Sequence, residues 1–199
     1  PLAVDAKTLK PEFVISLVNV DVPTLLKTFP ELANSVKNPS GKITLRTIIH
    51  ENLNIDTTLT SEKLEANNIA LTNIKALANY KFKENLANLE SFTANLGRAL
   101  ITASGGADLK TGNFSSELKT ENFDPHVIPE LKKLNLSGIY NLNANAAGNY
   151  KNLDSIKADA ILDARNLVYE KMRIGDINFP VSYANNNLNI KNAAARLPG

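Results

Sequence analysis

The sequence predicts a mostly β protein built from long antiparallel strands. Three observations carry that prediction. Apolar and polar residues alternate with a period of two over many stretches, turn-forming clusters separate those stretches, and landmarks of the first hundred residues recur in the second hundred.

Taken in order, Asp21 stands as an N-cap before Val22-Pro23-Thr24-Leu25-Leu26-Lys27-Thr28-Phe29, with Pro23 in the first turn and Pro30 as a stop. This reads as a short helix joining two strands. Leu53, Ile55, Thr57 and Leu59 then alternate as one strand face, and Phe114, Ser116, Leu118 and Thr120 as another. Asp124-Pro125-His126-Val127-Ile128-Pro129-Glu130-Leu131 repeats the cap-and-proline arrangement as a second short helix. The clearest strand follows: Leu136, Gly138, Tyr140, Leu142, Ala144 and Ala146 alternate with Asn135, Ser137, Ile139, Asn141, Asn143 and Asn145. Only Ile139 breaks the pattern, so the strand has one dry and one wet face. Ile156, Ala158, Ala160, Leu162 and Ala164 continue the alternation, as do Ile177, Phe179, Val181 and Tyr183. Turn chemistry is assigned to Asn38-Pro39-Ser40-Gly41, Ser104-Gly105-Gly106, Thr111-Gly112-Asn113, Gly148-Asn149 and Asn185-Asn186-Asn187.

The repeat is a collinear series of short matches. Phe29-Pro30-Glu31-Leu32 corresponds to Ile128-Pro129-Glu130-Leu131, Ser40-Gly41 to Ser137-Gly138, and Leu64-Glu65-Ala66-Asn67-Asn68-Ile69 to Leu162-Asp163-Ala164-Arg165-Asn166-Leu167. Two tandem units are expected, residues 1–99 and 100–199, both parts of one continuous sheet.

Composition excludes several function classes. Of 199 residues 43% are hydrophobic, too many for a disordered chain, and 22 Lys and Arg against 20 Asp and Glu give a net charge of only +2. The basic residues form no dense cluster, so nucleic acid is not an expected partner. No stretch approaches the roughly 18–20 apolar residues that cross a bilayer. Cys is absent, which excludes disulfides, thiolate metal sites and a cysteine nucleophile. Asn occurs 27 times, as often as Leu, and must sit largely on solvated faces and in turns. The chain opens without Met or signal peptide and closes on Arg196-Leu197-Pro198-Gly199, a turn signal, so it reads as an internal fragment of a longer protein.

Chemistry-bearing motifs are sparse. His50 and His126 have no second His or carboxylate at metal-ligand spacing; His50-Glu51 reads as the continuation of a strand and His126 as part of a helical turn. No Gly-x-Ser-x-Gly elbow is present, and Ser104-Gly105-Gly106 lacks the Lys and helix of a phosphate loop. Neither an enzyme, a metal nor a cofactor is expected. Lys81 with Lys83, and Lys132 with Lys133, form small basic clusters suited to a solvated face or to lipid headgroups at a groove rim.

A sheet with one apolar face must cover it, as a sandwich, a closed barrel, or an open curved sheet whose concave face holds an apolar ligand. The dry faces here are small and aliphatic with few aromatics; composition alone leaves the sandwich slightly ahead.

From Leu134 to Gly199 the chain resembles the AsmA/TamB superfamily of large envelope proteins of diderm bacteria. The resemblance rests on Leu136-Ser137-Gly138-Ile139-Tyr140-Asn141-Leu142-Asn143-Ala144 with Ala147-Gly148, on Leu162-Asp163-Ala164-Arg165-Asn166-Leu167, and on the closing Leu188 to Gly199. Ser40-Gly41-Lys42-Ile43-Thr44-Leu45-Arg46 fits more loosely, since no Ala-Gly follows. The resemblance implies a curved, open, taco-like half-pipe with two short helices and a greasy interior. It implies a periplasmic segment tethered to the inner membrane through an anchor outside this chain. Its implied role is phospholipid transport between inner and outer membranes; the alternative is a structural or interaction module that assists outer-membrane protein assembly or adhesion. The expected partner is a phospholipid or other acyl-chain ligand, and outer-membrane assembly proteins on the alternative. No catalytic residue carries over. The residues expected to line the groove are Ile43, Leu45, Leu53, Ile55, Tyr140, Leu142, Ile156, Ala158, Leu162, Phe179 and Val181.

Overall fold

Each of the first eleven strands pairs with its neighbour in sequence, so the connections between successive strands set the topology. The computed structural model describes residues 12–28, 36–190 and 192–197. In them twelve strands form a single antiparallel sheet: β1 (Phe13–Asp21), β2 (Ser40–Ile49), β3 (Ile55–Ala66), β4 (Ile69–Lys81), β5 (Leu86–Leu96), β6 (Ala99–Asp108), β7 (Asn113–Phe123), β8 (Leu136–Asn149), β9 (Asn152–Tyr169), β10 (Met172–Ala184), β11 (Asn187–Ile190) and β12 (Ala194–Arg196). The order is sequential from β1 to β11, and β12 pairs with β10 beside β11. The sheet is open: β1 ends one side and β11 with β12 ends the other. Two short helices interrupt the meander. Helix α1 (Val22–Thr28) joins β1 to β2, and a 3-10 turn at Pro125–Val127 followed by α2 (Pro129–Lys132) joins β7 to β8. The mostly β, open architecture with two helices is therefore present.

Asparagine makes the turns and bends possible. Of the 14 non-glycine residues with positive φ among those described, 12 are Asn. Asn tolerates the left-handed region because its short polar side chain bonds locally. Asn67-Asn68 and Asn185-Asn186 both have positive φ, as a two-residue type I′ hairpin requires. Asn19, Asn73, Asn122 and Asn166 instead sit inside strands where the register slips by one residue. At three of these bulges the freed backbone N–H is taken up by a side chain of the neighbouring strand. Asn19 donates to Thr44 Oγ1 at 3.3 Å, Asn122 to Asn141 Oδ1 at 2.9 Å and Asn166 to Asp176 Oδ1 at 2.9 Å. Bulges bend the strand and raise its twist, which is what an open sheet needs in order to curl.

The connections after β1 and β7 are built alike: a capped Asn bulge, an Asp, then a Pro-containing helical segment. The matched Gly41 and Gly138 are also alike, both with positive φ beside a register shift, and the ladder runs unbroken from β1 to β11 as one continuous sheet. The expected boundary at 99/100 falls at the start of β6, which pairs with β5 on one side and β7 on the other. The Phe29-Pro30-Glu31-Leu32 match, and the chain ends Pro1 and Pro198-Gly199, lie outside the described residues.

Three local assignments are corrected. Ser104-Gly105-Gly106 is not a turn but the middle of β6. A Cβ on Gly105 would lie 2.6 Å from the Ser115 carbonyl oxygen, so glycine serves a close approach of β6 to β7, not a reversal. His50-Glu51 does not extend a strand, since β2 stops at Ile49 and the His50 N–H and carbonyl bond to Asn54 and Leu53 to close the β2–β3 turn. Leu53 consequently lies in that turn with φ +64°, outside the alternation that begins at Ile55.

The two ends of the sheet differ. At the end bearing the β3–β4, β5–β6 and β7–β8 connections, Ile43, Ile74, Ala94, Leu96, Ala99, Tyr140, Ala164 and Leu167 are buried, and so is Pro125 of the helical connector. Burying an aliphatic side chain of this size contributes about 1.5–3 kcal/mol relative to exposure, so this end anchors the fold. We predict that Asn122→Val and Asn166→Val each destabilise by about 1–2 kcal/mol, because a β-branched residue resists positive φ. Replacement by Gly is expected to be nearly neutral. Thermal unfolding of the variants checks this, with the Val changes lowering Tm by several degrees.

Candidate functional site

Alternation puts every second side chain of a strand on one face, and the pairing register then aligns those side chains across the sheet. One such cross-strand row is apolar from edge to edge. It begins Leu17–Leu45–Leu59–Ala76–Phe92–Ala103 over β1 to β6. It continues Leu118–Ala144–Ala160–Val181–Ile190 over β7 to β11. The adjacent row, toward the even-to-odd hairpin turns, runs Thr57–Ala78–Leu89–Gly105–Ser116–Ala146–Ala158–Tyr183–Leu188 over β3 to β11.

These rows floor a cleft of about 960 Å³ whose lining reaches from Ile55 and Thr57 of β3 to Leu188 of β11. A flat ladder would separate those two strands by about 38 Å, eight steps of roughly 4.8 Å. For both to line one cavity the sheet must curl, with the apolar rows on its concave side. The volume stands at the upper end of the roughly 300–1,000 Å³ typical of ligand pockets. Most of the lining side chains are small, which leaves the trough deep: at Ala78, Ala103, Gly105, Ala146, Ala158 and Ala160 its floor lies close to the backbone.

The structure divides the expected groove residues among several surroundings. Ile55, Ala158 and Val181 line the cleft itself. Leu45 lies in the edge-to-edge row on the same face, and Ile156 lies against Gly148 near the β8–β9 turn, outside the cleft lining. Leu142, Leu162 and Phe179 form the next row toward the packed end, paired in that order. Ile43 and Tyr140 are buried at that end, Tyr140 in a cluster with Ala164 and Leu167 against which Phe123, Leu162 and Ile177 pack. Leu53 stands apart, exposed in the β2–β3 turn. Ala78, Tyr80, Leu89, Ala103 and Gly105 also line the cleft, beyond the residues expected there. Ile74, Ala76, Ala78 and Tyr80 do alternate in the sequence, with only Leu77 interrupting the polar side, so a signal for β4 was present.

Charge is kept to the other face and to the rims. Alternation carries Asn79, Asn88 and Glu90 away from the apolar rows, where Asn79 Nδ2 donates to Glu90 and Asn88 Nδ2 donates to Asn79 at 2.9 Å. Lys119 pairs with Glu117 at 2.7 Å on either side of Leu118. At the packed end Asp124 caps the 3-10 turn by accepting from the His126 N–H at 2.9 Å, and the backbone and ring contacts of His126 hold its carboxyl below the usual carboxylate range. Burial pushes the Tyr140 hydroxyl up, with the Asp124 charge adding to it, and that hydroxyl has no hydrogen-bond partner among the described residues.

His50 ties the residue before β1 and the start of β3 to the β2–β3 turn. Its Nε2 lies 2.7 Å from Asp56 Oδ2 and its Nδ1 3.0 Å from Glu12 Oε1, and these two contacts raise its pKa above the ordinary 6.5. The carboxylates flank opposite edges of the ring and do not converge on one point. No group of three or more His, Asp or Glu among the described residues is placed to hold a metal ion. The described residues also contain no helix long and apolar enough to cross a membrane.

Comparison with protein-family models, with curated proteins and with solved structures returns no match to this chain.

Two predictions follow from the geometry. A raised folded-state pKa means that the His50 ties support the fold fully below about pH 6.5 and fade as pH climbs through the raised value. NMR titration is expected to place His50 above 6.5 in the native chain and closer to 6.5 in Asp56→Asn; an unshifted native His50 contradicts the contact. Separately, Tyr140→Phe removes a buried hydroxyl that has no partner, so its unfolding midpoint should match or exceed that of the parent. A fall of more than about 4 °C, on the order of 1–2 kcal/mol in a chain this size, would show the hydroxyl to be engaged.

Proposed function

We propose that this chain is a lipid-handling β module: a groove segment of an AsmA/TamB-like envelope protein that lies in the periplasm, is tethered to the inner membrane elsewhere in the protein, and shields phospholipid tails in transit to the outer membrane. The observation that supports this most strongly is the apolar row that crosses eleven strands without one polar member. A ligand with a few polar anchor points would call for convergent donors or acceptors, whereas acyl chains need only continuous apolar contact. Each methylene withdrawn from water contributes about 0.8 kcal/mol, so a tail laid along the trough is held without any directional bond. The tail enters at the mouth beside the β6–β7 and β8–β9 turns, and the packed Tyr140 cluster stops it at the far end. No covalent step is involved.

A second reading has its own observation. Strand β1 is an edge strand whose Phe13 to Val20 segment carries no charge and no Pro, and Phe13, Val14, Ile15 and Val18 are more than half exposed. Such an edge is open to strand addition, as an interaction module for outer-membrane protein assembly or adhesion requires.

Mass spectrometry of organic extracts from the purified chain separates the two. The lipid reading predicts phospholipid near one equivalent per chain, lost in Ala158→Lys while circular dichroism and Tm stay close to the parent. Leu142→Asp, next to the packed cluster, should instead unfold the chain. Absence of lipid from a mildly purified parent, or full lipid retention in folded Ala158→Lys, overturns the proposal and leaves the edge-pairing reading.

A further inference from the structure

The turns around the mouth carry apolar side chains that the trough does not use. Leu53 in the β2–β3 turn, Phe82 in β4–β5, Leu109 in β6–β7 and Tyr150 in β8–β9 are 43–51% exposed, and Leu153 at the start of β9 is 66% exposed. A single exposed apolar residue is ordinary. One at the tip of each of four successive turns, all at the same end of one sheet, makes a continuous apolar edge where polar turn residues are the norm.

The tips are also held in place. The Phe82 N–H donates to Asn54 Oδ1 at 3.3 Å, the Leu109 N–H to the Asn85 carbonyl at 2.9 Å, and the Tyr150 N–H to the Gly112 carbonyl at 2.9 Å. The Tyr150 hydroxyl donates to the Leu109 carbonyl at 3.2 Å. Each turn is thereby bonded to its neighbour; the Tyr150 ring lies along the rim toward Leu109 and Phe82 packs edge-on against Tyr80 at 6.3 Å, while one side of each ring stays exposed.

Cations stand between the tips. Lys83, Lys110 and Lys151 have no carboxylate partner among the described residues. The neighbouring acids are mostly engaged: Glu84 pairs with Lys81, Asp108 accepts from the Lys110 and Thr111 N–H groups, and Asp154 accepts from Asn186. Glu51, Glu84, Asp108 and Asp154 equal Lys81, Lys83, Lys110 and Lys151 in number, so the lysines contribute through the place of their ammonium groups between the tips and not through a net positive charge. Apolar and aromatic tips interleaved with lysines suit the boundary of a phospholipid bilayer, where the rings and aliphatic chains enter the acyl region and the ammonium groups meet phosphate.

We infer that this rim docks on a phospholipid bilayer and sets the mouth of the trough against the membrane surface. The inference deepens the lipid-handling reading, but it concerns the turns and not the cleft. The chain contains no Trp, so Phe82→Trp supplies a single fluorescent reporter at a tip. With vesicles of phosphatidylethanolamine and phosphatidylglycerol in a 3:1 ratio, its emission should shift to the blue and the protein should float with the vesicles. Combined Leu53→Asn, Phe82→Ser, Leu109→Ser and Leu153→Ser, all at exposed positions, should weaken flotation about tenfold or more while the circular dichroism stays unchanged. Combined Lys83→Gln, Lys110→Gln and Lys151→Gln should remove most of the salt dependence and leave the apolar contribution. An unshifted Trp emission with no flotation of the parent overturns the inference, as does equal flotation of the apolar-tip variant. Extracted lipid per chain is read on the same preparations. Lipid retained by a parent that does not float sinks docking alone, and flotation without lipid in the cleft sinks the transport reading alone.

Discussion

A sheet with one apolar face and, among the described residues, no second layer to cover it is the constraint on which the rest of this structure depends. Eleven strands add a member each to the same apolar row, yet the two helices between them among the described residues are only seven and four residues long, too short to shield such an area. The face is therefore hidden by bending the sheet toward itself. At one end the bend is tight enough to bury Ile74, Leu96, Ala99 and Tyr140; at the other it leaves a cleft. Packed core and open trough are thus two regions of one continuous surface, and the size of the side chains along the rows decides where one gives way to the other.

The bend has a local chemical origin. Left-handed Asn residues sit at strand bulges, and the hydrogen bonds those bulges would lose are restored by Thr44, Asn141 and Asp176 from adjacent strands. A bulge capped in this way costs less than an open one, since a backbone donor left without a partner is expensive wherever water is excluded. Asparagine abundance therefore follows from the geometry of the sheet as well as from its wet face. The same residue type builds two of the two-residue hairpins and contributes Asn54 and Asn85 to the bonds between turns at the mouth.

Much of this was legible in the residues. The twelve-residue alternation from Asn135 to Ala146 identifies β8, and Asp124-Pro125 identifies the capped turn that follows β7. The in-strand role of Ser104-Gly105-Gly106 was not legible, because adjacent glycines look alike whether they serve a reversal or the close approach of a neighbouring backbone. Leu53 fits a period-two pattern by spacing alone, and only the closure of the turn by His50 and Asn54 removes it from the strand. Which apolar residues pack and which line open space depends on how far the sheet curls at each level, a property of all the strands together. For that reason Tyr140 and Ala158, alike in the alternation, end in different surroundings.

On the proposed reading, a ligand recognised by shape and apolarity alone would meet this protein only along the open part of the rows, so contact with a hydrocarbon is the most direct test. Methyl-resolved NMR in the presence of a fatty acid carrying a nitroxide on its chain measures that contact residue by residue. Broadening of the Ala146, Ala158 and Val181 methyls, with those of Ala94, Ala99 and Ala164 left sharp, is the predicted result. Cleft methyls as sharp as those of the packed end would contradict the account.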